Sequence, residues 1–227
     1  GTLVSFALSP ELACPDAALL ALLAALATRP GWEVHLVSGR GRDFLNRWLG
    51  ALPVGLHAEH GIWSRTTDGT WNGGPTVSME WRSAVTPILV DFALRTPGSL
   101  VEEKEASIAW HYRACDPEFG QRQALELHAH LAERLSNLPV QILPGDKVIE
   151  IRPHGTNTGT VVGAVRAAAP VGALLCAIGD DHTDDDMFRA LGDEGIAIQV
   201  GGQGRHAPYC LTDFVETRAF LQRLLPA

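Results

Sequence analysis

The stretch Ala177-Ile178-Gly179-Asp180-Asp181-His182-Thr183-Asp184-Asp185-Asp186-Met187-Phe188 sets five carboxylates within seven positions, directly after the apolar run Val171 to Ile178. Such a run reads as a strand buried on both faces, as in a parallel sheet, and ligands of open α/β sheets sit just beyond the carboxyl ends of these strands. Asp180 and Asp181 emerge at that end. Hard oxygen ligands crowded there suit Mg²⁺, which takes one or two protein carboxylates and keeps water and phosphate in its other positions. A plainer reading stands beside this one: Thr183 or Asp184 caps a helix that begins near Asp185, and the remaining acids are favoured by the helix dipole. Capping accounts for Asp184 to Asp186 and leaves Asp180 and Asp181 without a reason.

On the amino-terminal side the pattern repeats strand and helix. Residues 3–8 read as a strand, Asp16 to Thr28 as an amphipathic helix, Glu33 to Val37 as a strand, Arg42 to Leu49 as a helix and Gly55 to Glu59 as a short strand. Alternation of this kind predicts a doubly wound parallel sheet. Near Met79 the order changes to helix (to about Thr96), two strands (Ser99 to Lys104, Ser107 to Arg113), helix (Pro117 to Leu135) and two strands (Val140 to Leu143, Lys147 to Arg152). That order belongs to an antiparallel sheet with helices on one face. The expectation is therefore an α/β core made of residues 1–79 and 154–227, with residues 80–153 inserted as an α+β cap. After the cap come a helix, Gly159 to Ala169, the strand that delivers the acidic cluster, a strand from Ile196 to Val200 and a helix from Asp213 to Leu225.

The 227 residues, 46% hydrophobic and 19% charged, suffice for a well-buried core. A net charge of −8 with scattered Lys and Arg excludes a basic stripe for nucleic acid. Cys14, Cys115, Cys176 and Cys210 form no CxxC pair, so neither a zinc site nor a disulfide framework is expected, and a reducing cytoplasm is the simplest home. The Ala/Leu-rich stretch Ala17 to Ala27 is too short to span a bilayer, which predicts a soluble protein without membrane association. Gly1-Thr2 leads straight into apolar residues without a turn or cap, and reads either as the start of a segment cut from a longer polypeptide or as an expression scar.

Five blocks carry a family resemblance: Glu59-His60-Gly61; Val101 to Lys104; Ala109-Trp110-His111-Tyr112-Arg113; Leu143-Pro144-Gly145 with Lys147 to Glu150, Arg152 and Pro153; and Gly179 to Phe188. In this order they resemble the signature blocks of trehalose-6-phosphate phosphatases, within the haloacid dehalogenase superfamily, and they span nearly the whole chain. The resemblance implies a haloacid-dehalogenase-like core with a cap, and a two-step phosphoryl transfer. An aspartate nucleophile, an aspartate acid/base two residues later, a Ser or Thr and a Lys on the phosphoryl oxygens, and Mg²⁺ would carry it. Such chemistry asks little covalent work of the protein and depends on positioning and on cations facing the phosphoryl oxygens.

By the same resemblance, Asp180, Asp181 and Asp184 are the metal positions, Ser38 the phosphate position, and Glu102, Lys104 and Glu150 the sugar positions. Two alternatives stay open: Ser38 as a plain helix N-cap, and the cap charges as solvated strand-face residues. Trp110 belongs to the cap core on this reading, His60 stays ambiguous because a histidine near a strand is more often a hydrogen-bonded packing residue than a ligand, and His111 and Arg113 are possible ligand contacts. The chain departs from the family where the first strand should end in D-x-D-G-T. With the strand over residues 3–8, Ser5 stands at the nucleophile position and Ala7 at the acid/base position, leaving only the Ala7 backbone carbonyl as a metal ligand. Thr158 stands at the lysine position.

A serine without an adjacent base is a weak nucleophile. The expectation is a phosphatase-like domain without turnover that binds Mg²⁺ weakly or not at all. It would have a structural or sugar-phosphate-sensing role in trehalose biosynthesis, fused to or associated with a trehalose-6-phosphate synthase domain. The rival is an active Mg²⁺-dependent trehalose-6-phosphate phosphatase with non-standard catalytic groups.

Overall fold

The structure, a computed structural model, describes residues 1–7, 12–74, 78–155, 157–202 and 206–226. The chain divides into two compact units, Gly1–Gly73 with Asn157–Ala227, and Gly74–Thr156.

The first unit opens with helix α1 (Ala17–Ala27), whose start is fixed by Asp16: its carboxylate accepts from the Leu19 amide at 2.8 Å. Leu19, Leu22, Leu23 and Leu26 are buried along one side of α1, each worth about 1.5–3 kcal/mol when fully removed from water. Strand β1 (His35–Val37), helix α2 (Arg42–Leu49) and strand β2 (Gly55–Ala58) form a βαβ unit with β1 and β2 parallel. The sheet continues antiparallel into β3 (Trp63–Arg65) and β4 (Trp71–Gly73). After the inserted unit, helix α5 (Thr158–Ala168) leads to β9 (Cys176–Gly179), helix α6 (Asp185–Leu191), β10 (Ile196–Val200), β11 (Tyr209–Leu211) and helix α7 (Phe214–Arg223). Strands β9, β10 and β11 are parallel, ordered β11-β10-β9. Leu19, Leu23, Leu45, Leu49, Val54, Leu56 and Ala58 make one core, and a second around Met187 and Phe188 takes in both Val37 of β1 and Ala177 of β9.

The inserted unit holds helix α3 (Trp81–Arg95), strands β5 (Leu100–Glu103) and β6 (Ile108–His111), helix α4 (Pro117–Leu135), and strands β7 (Val140–Gly145) and β8 (Val148–Pro153). All pairings in its sheet, ordered β5-β6-β8-β7, are antiparallel. Both helices pack on the apolar face: Val85, Leu89 and Phe92 of α3 and Leu127, Leu131 and Leu135 of α4 meet Ile108, Trp110, Ile149 and Ile151. Trp110 is fully buried, stacked on Tyr112 and edge-on to Phe92.

Two sequence expectations need correction. Residues 3–7 form no strand, and Leu8 lies outside the described residues. Leu3 and Val4 pack on the α1 and α2 core, and the Leu3 carbonyl accepts from Arg218 Nε at 2.7 Å rather than from a neighbouring strand. Leu3 and Val4 thus serve packing, not a ladder, and Phe6 is exposed. The sequence reading also missed the β3–β4 hairpin and β11. Among the described residues no helix is long and apolar enough to cross a membrane.

Candidate functional site

Asp180 follows β9 directly. Asp184 reaches back so that its Oδ2 accepts from the Asp180 amide at 2.9 Å and the Asp181 amide at 3.1 Å. Gly179 makes this possible, because a Cβ there would overlap the Asp184 carboxylate. Asp181 caps the following 3₁₀ turn: its Oδ1 accepts from the His182 amide at 2.6 Å and pairs with His182 Nδ1 at 2.5 Å. The cap on this segment is therefore Asp181, and neither Asp184 nor Thr183 caps α6 with a side chain.

Burial, and then the neighbouring carboxylates of Asp180 and Asp181, push Asp184 up to about 6, against the pull of the two amides. Burial also lifts Asp181, but the His182 hydrogen bond and charge outweigh it, with a smaller contribution from His60, and hold its carboxyl below the usual range. The Asp181 hydrogen bond in turn raises His182.

Gly1 and Thr2 also meet Asp180. The Thr2 hydroxyl donates to Asp180 Oδ1, and the Gly1 nitrogen lies 3.4 Å from Oδ2. A Cβ on Gly1 would run into the same carboxylate, so glycine alone allows this approach. Ser5, by contrast, is exposed, and Ala7 is half-buried. Nothing in the composition points to Gly1 and Thr2, but the dipeptide itself does: it repeats the last two letters of D-x-D-G-T.

Thr158 is buried at the start of α5, and its hydroxyl donates to the Thr183 carbonyl at 2.6 Å, which ties α5 to the acidic loop. Ser38 follows β1. Its hydroxyl accepts from the Arg40 amide at 3.2 Å, while the N-cap of α2 is Gly41, so Ser38 is not that helix's cap. The Ser38 carbonyl accepts from the His60 amide, and the Arg40 carbonyl from the Glu59 amide, both at 2.9 Å. Glu59, His60 and Gly61 all take positive φ, of 47°, 59° and 97°. Two consecutive non-glycine residues in the left-handed region are held only where surroundings over-determine them, a hallmark of functional loops. His60 fits because Gly39 has no Cβ; one would approach its Nε2 to 2.6 Å. His60, ambiguous in the sequence, therefore stands against the Ser38 loop and close enough to influence Asp181.

Could a cation fit? Among the described residues no group of three or more His, Cys, Asp or Glu side chains is placed to hold one. Asp181 is engaged by His182, and Asp184 turns one oxygen to the backbone. Mg²⁺ needs only one or two carboxylates, however, and Asp184, raised first by burial and then by Asp180 and Asp181, lies with them in the segment after β9.

The inserted unit carries the second group. Register aligns Glu102 of β5, Ala109 of β6 and Glu150 of β8 in one row, on the sheet face opposite the helices. Lys104 Nζ reaches Glu150 Oε1 at 2.7 Å, and both side chains are only 9% exposed. His111 Nε2 lies 2.8 Å from Glu102 Oε2. These are not solvated strand-face charges. Arg113 donates to Asp146 at the β7–β8 turn.

The family model described as Trehalose-phosphatase matches residues 1–207. The chain is 41% identical over 226 residues to the bifunctional trehalose-6-phosphate synthase/phosphatase of Thermoproteus tenax, a match that takes in all of this chain and 31% of that protein. It spans about a quarter to a third of the length of the curated relatives it matches. Among solved structures, the C-terminal domain of C. albicans trehalose-6-phosphate phosphatase superposes with a TM-score of 0.92 at 29% identity, covering 99% of this chain and 89% of that one. A phosphatase of the haloalkanoate (HAD) enzyme superfamily from Bacteroides thetaiotaomicron, 18% identical, matches with a TM-score of 0.60 over 99% of this chain and 90% of its own, and shares the fold.

Proposed function

Because the chain belongs to the trehalose-phosphatase family, we propose that it is a sugar-phosphate-binding domain of the trehalose-6-phosphate phosphatase type. In it Asp180 and Asp184 hold Mg²⁺ with Asp181 close by, Ser38 binds the phosphate, and Glu102, Lys104 and Glu150 bind the sugar. The contact of Thr2 with Asp180 carries this reading. It supports a register in which Gly1-Thr2 are the last two letters of D-x-D-G-T, so that the two aspartate positions fall ahead of Gly1 and not at Ser5 and Ala7. Mg²⁺ would supply positive charge to the phosphoryl oxygens when bound. Ser38 and the amides of its loop would orient those oxygens.

A second reading, binding without turnover in a structural or sensing role beside a synthase domain, is favoured by Thr158. A buried hydroxyl fastened to the Thr183 carbonyl stands at the lysine position, so a phosphate there would lack one cation. The synthase/phosphatase named for the T. tenax relative supports association with a synthase domain.

Calorimetric titration of trehalose-6-phosphate into the full chain in Mg²⁺ tests the proposal. Binding is expected, weakened about tenfold or more by Asp180→Asn, the order of one lost charge-assisted contact. No heat at millimolar ligand would sink it.

A further inference from the structure

The turn between β5 and β6 does more than join two strands. Lys104-Glu105-Ala106-Ser107 is closed by the Lys104 amide donating to the Ser107 carbonyl at 3.0 Å. Arg82 of α3 pins it from outside, donating to the carbonyls of Lys104 at 2.8 Å and Glu105 at 3.0 Å. From this turn two side chains converge on one atom: Lys104 Nζ at 2.7 Å and Ser107 Oγ at 2.8 Å both reach Glu150 Oε1. Ser107 is 1% exposed and Glu150 7%. Across Ala109, in the same row, Glu102 is met by His111.

A buried ion pair is weak evidence for stability, since the desolvation of both charges offsets their attraction and apolar replacements of similar volume often do as well. Two carboxylates flanking a residue whose side chain is a single methyl, Glu150 oriented by Lys104 and Ser107 and Glu102 by His111, are better explained as preset acceptors for a polyhydroxylated ligand. Hydrogen bonds to an ionised acceptor are the stronger kind, and fixing the acceptor beforehand lowers the entropy lost on binding.

Resting on the assignment of Glu102, Lys104 and Glu150 to the sugar, we propose that Ser107 and His111 are positioning residues for sugar recognition. Ser107 fixes the Glu150 carboxylate through the Arg82-pinned turn, and His111 fixes that of Glu102. Neither needs to touch the sugar.

The test is calorimetry on the full chain with trehalose-6-phosphate and, separately, inorganic phosphate, both in Mg²⁺, with a melting curve for each variant. Ser107→Ala and His111→Ala are each expected to weaken trehalose-6-phosphate binding about tenfold, the equivalent of one such hydrogen bond, with inorganic phosphate unchanged. Ser107→Thr, which keeps the hydroxyl, is expected to restore most of the sugar affinity. Equal loss for both ligands, or no rescue by Thr, would mark a merely structural role and overturn the proposal. Glu150→Gln separates the two ideas. If it weakens sugar binding while Ser107→Ala and His111→Ala do not, positioning alone fails; if Glu150→Gln binds as the parent does, the sugar assignment fails with it.

Discussion

Extending this chain ahead of Gly1 by an apolar strand that ends in Asp-x-Asp, together with Thr158→Lys, is expected to yield phosphate release from trehalose-6-phosphate in Mg²⁺. Ser5→Asp with Ala7→Asp and Thr158→Lys is expected to remain at the blank. The difference is geometric. Gly1 and Thr2 lie at Asp180, so a carboxylate placed just ahead of them enters the acidic cluster, whereas Ser5 is exposed and outside any strand. There is also a place for the added strand: among the described residues β1 and β9 are each the last strand of their own sheet, and Val37 and Ala177 share one hydrophobic core.

Charge sets the second requirement. Asp184 is already raised to about 6 by burial and by Asp180 and Asp181, and two more carboxylates would raise it further unless a cation enters. Lysine at position 158, beside the Thr183 carbonyl, and Mg²⁺ supply that charge. Removing one preorganised donor from a transition state costs about 10²–10³-fold, and losing a general acid/base about 10²–10⁴-fold. The extended chain that keeps Thr158 should thus turn over at least about 10²-fold more slowly than its Thr158→Lys partner. Asparagine in place of either new aspartate should return it toward the blank. A phosphate-release assay decides: turnover by the Ser5→Asp variant and none by the extended chain would overturn the register.

The same region shows where sequence reading succeeds and where it stops. The strand before Asp180, the order of elements and the polar row of the inserted sheet were legible because they follow from periodicity and from short motifs. The expectation that the run Val171 to Ile178 is a strand buried on both faces is corrected: the strand covers only Cys176–Gly179, and Val171 to Leu174 lie ahead of it and exposed. The run that starts at Leu3 misled because apolar residues such as Leu3 and Val4 fill a strand and a packed loop end equally well; only the partners of Leu3, a helix core and Arg218, tell them apart. On the proposed register, the misplaced strand carried the first motif forward onto Ser5 and Ala7 and left Gly1-Thr2 unread. The β3–β4 hairpin had a signal in Asp68-Gly69. Asp68 accepts from Thr66 Oγ1 at 2.5 Å and from the Thr70 amide at 3.0 Å, and Gly69 takes a φ of 93°. Strand β11, three residues and largely exposed, has no period long enough to read. Nor does any local pattern reveal that Asp184 turns back to the strand end or that His60 stands under the Ser38 loop, since both depend on a missing Cβ elsewhere, at Gly179 and Gly39.

Below pH 6.5 the fold is expected to lose stability through His57, and the effect should vanish in His57→Gln. His57 on β2 is 6% exposed, with Nε2 3.1 Å from His35 Nδ1 and Nδ1 2.9 Å from Ser64 Oγ. Gly55 lets the His35 ring lie across the strand to reach it, for a Cβ there would overlap that ring. His35 in turn faces Glu33 at 3.4 Å. Burial, and then the charge of His35, lower His57 from 6.5 to about 4. A histidine held neutral in the folded state gives stability that is complete above the unfolded value of 6.5 and is lost as pH falls through about 4. At ~1.36 kcal/mol per pH unit the full loss is about 3 kcal/mol, and about 2 kcal/mol of it should be gone by roughly pH 4.5. Asp184 acts with the opposite sign: its raised value favours the folded state below 3.8, and that contribution disappears as pH rises through about 6. The parent's total therefore bends little, and the contrast with the variant is the measurement. Unfolding free energies of parent and His57→Gln from urea titrations, taken at pH 7 and again at about pH 4.5, should change between the two pH values by amounts that differ by about 2 kcal/mol. Parallel behaviour of the two proteins would mean that His57 charges freely in the folded state. Because the His57 carbonyl accepts from the Ser38 amide at 2.9 Å, protonation that loosens β2 should also weaken inorganic phosphate binding in the parent and leave the pH dependence of the variant flatter.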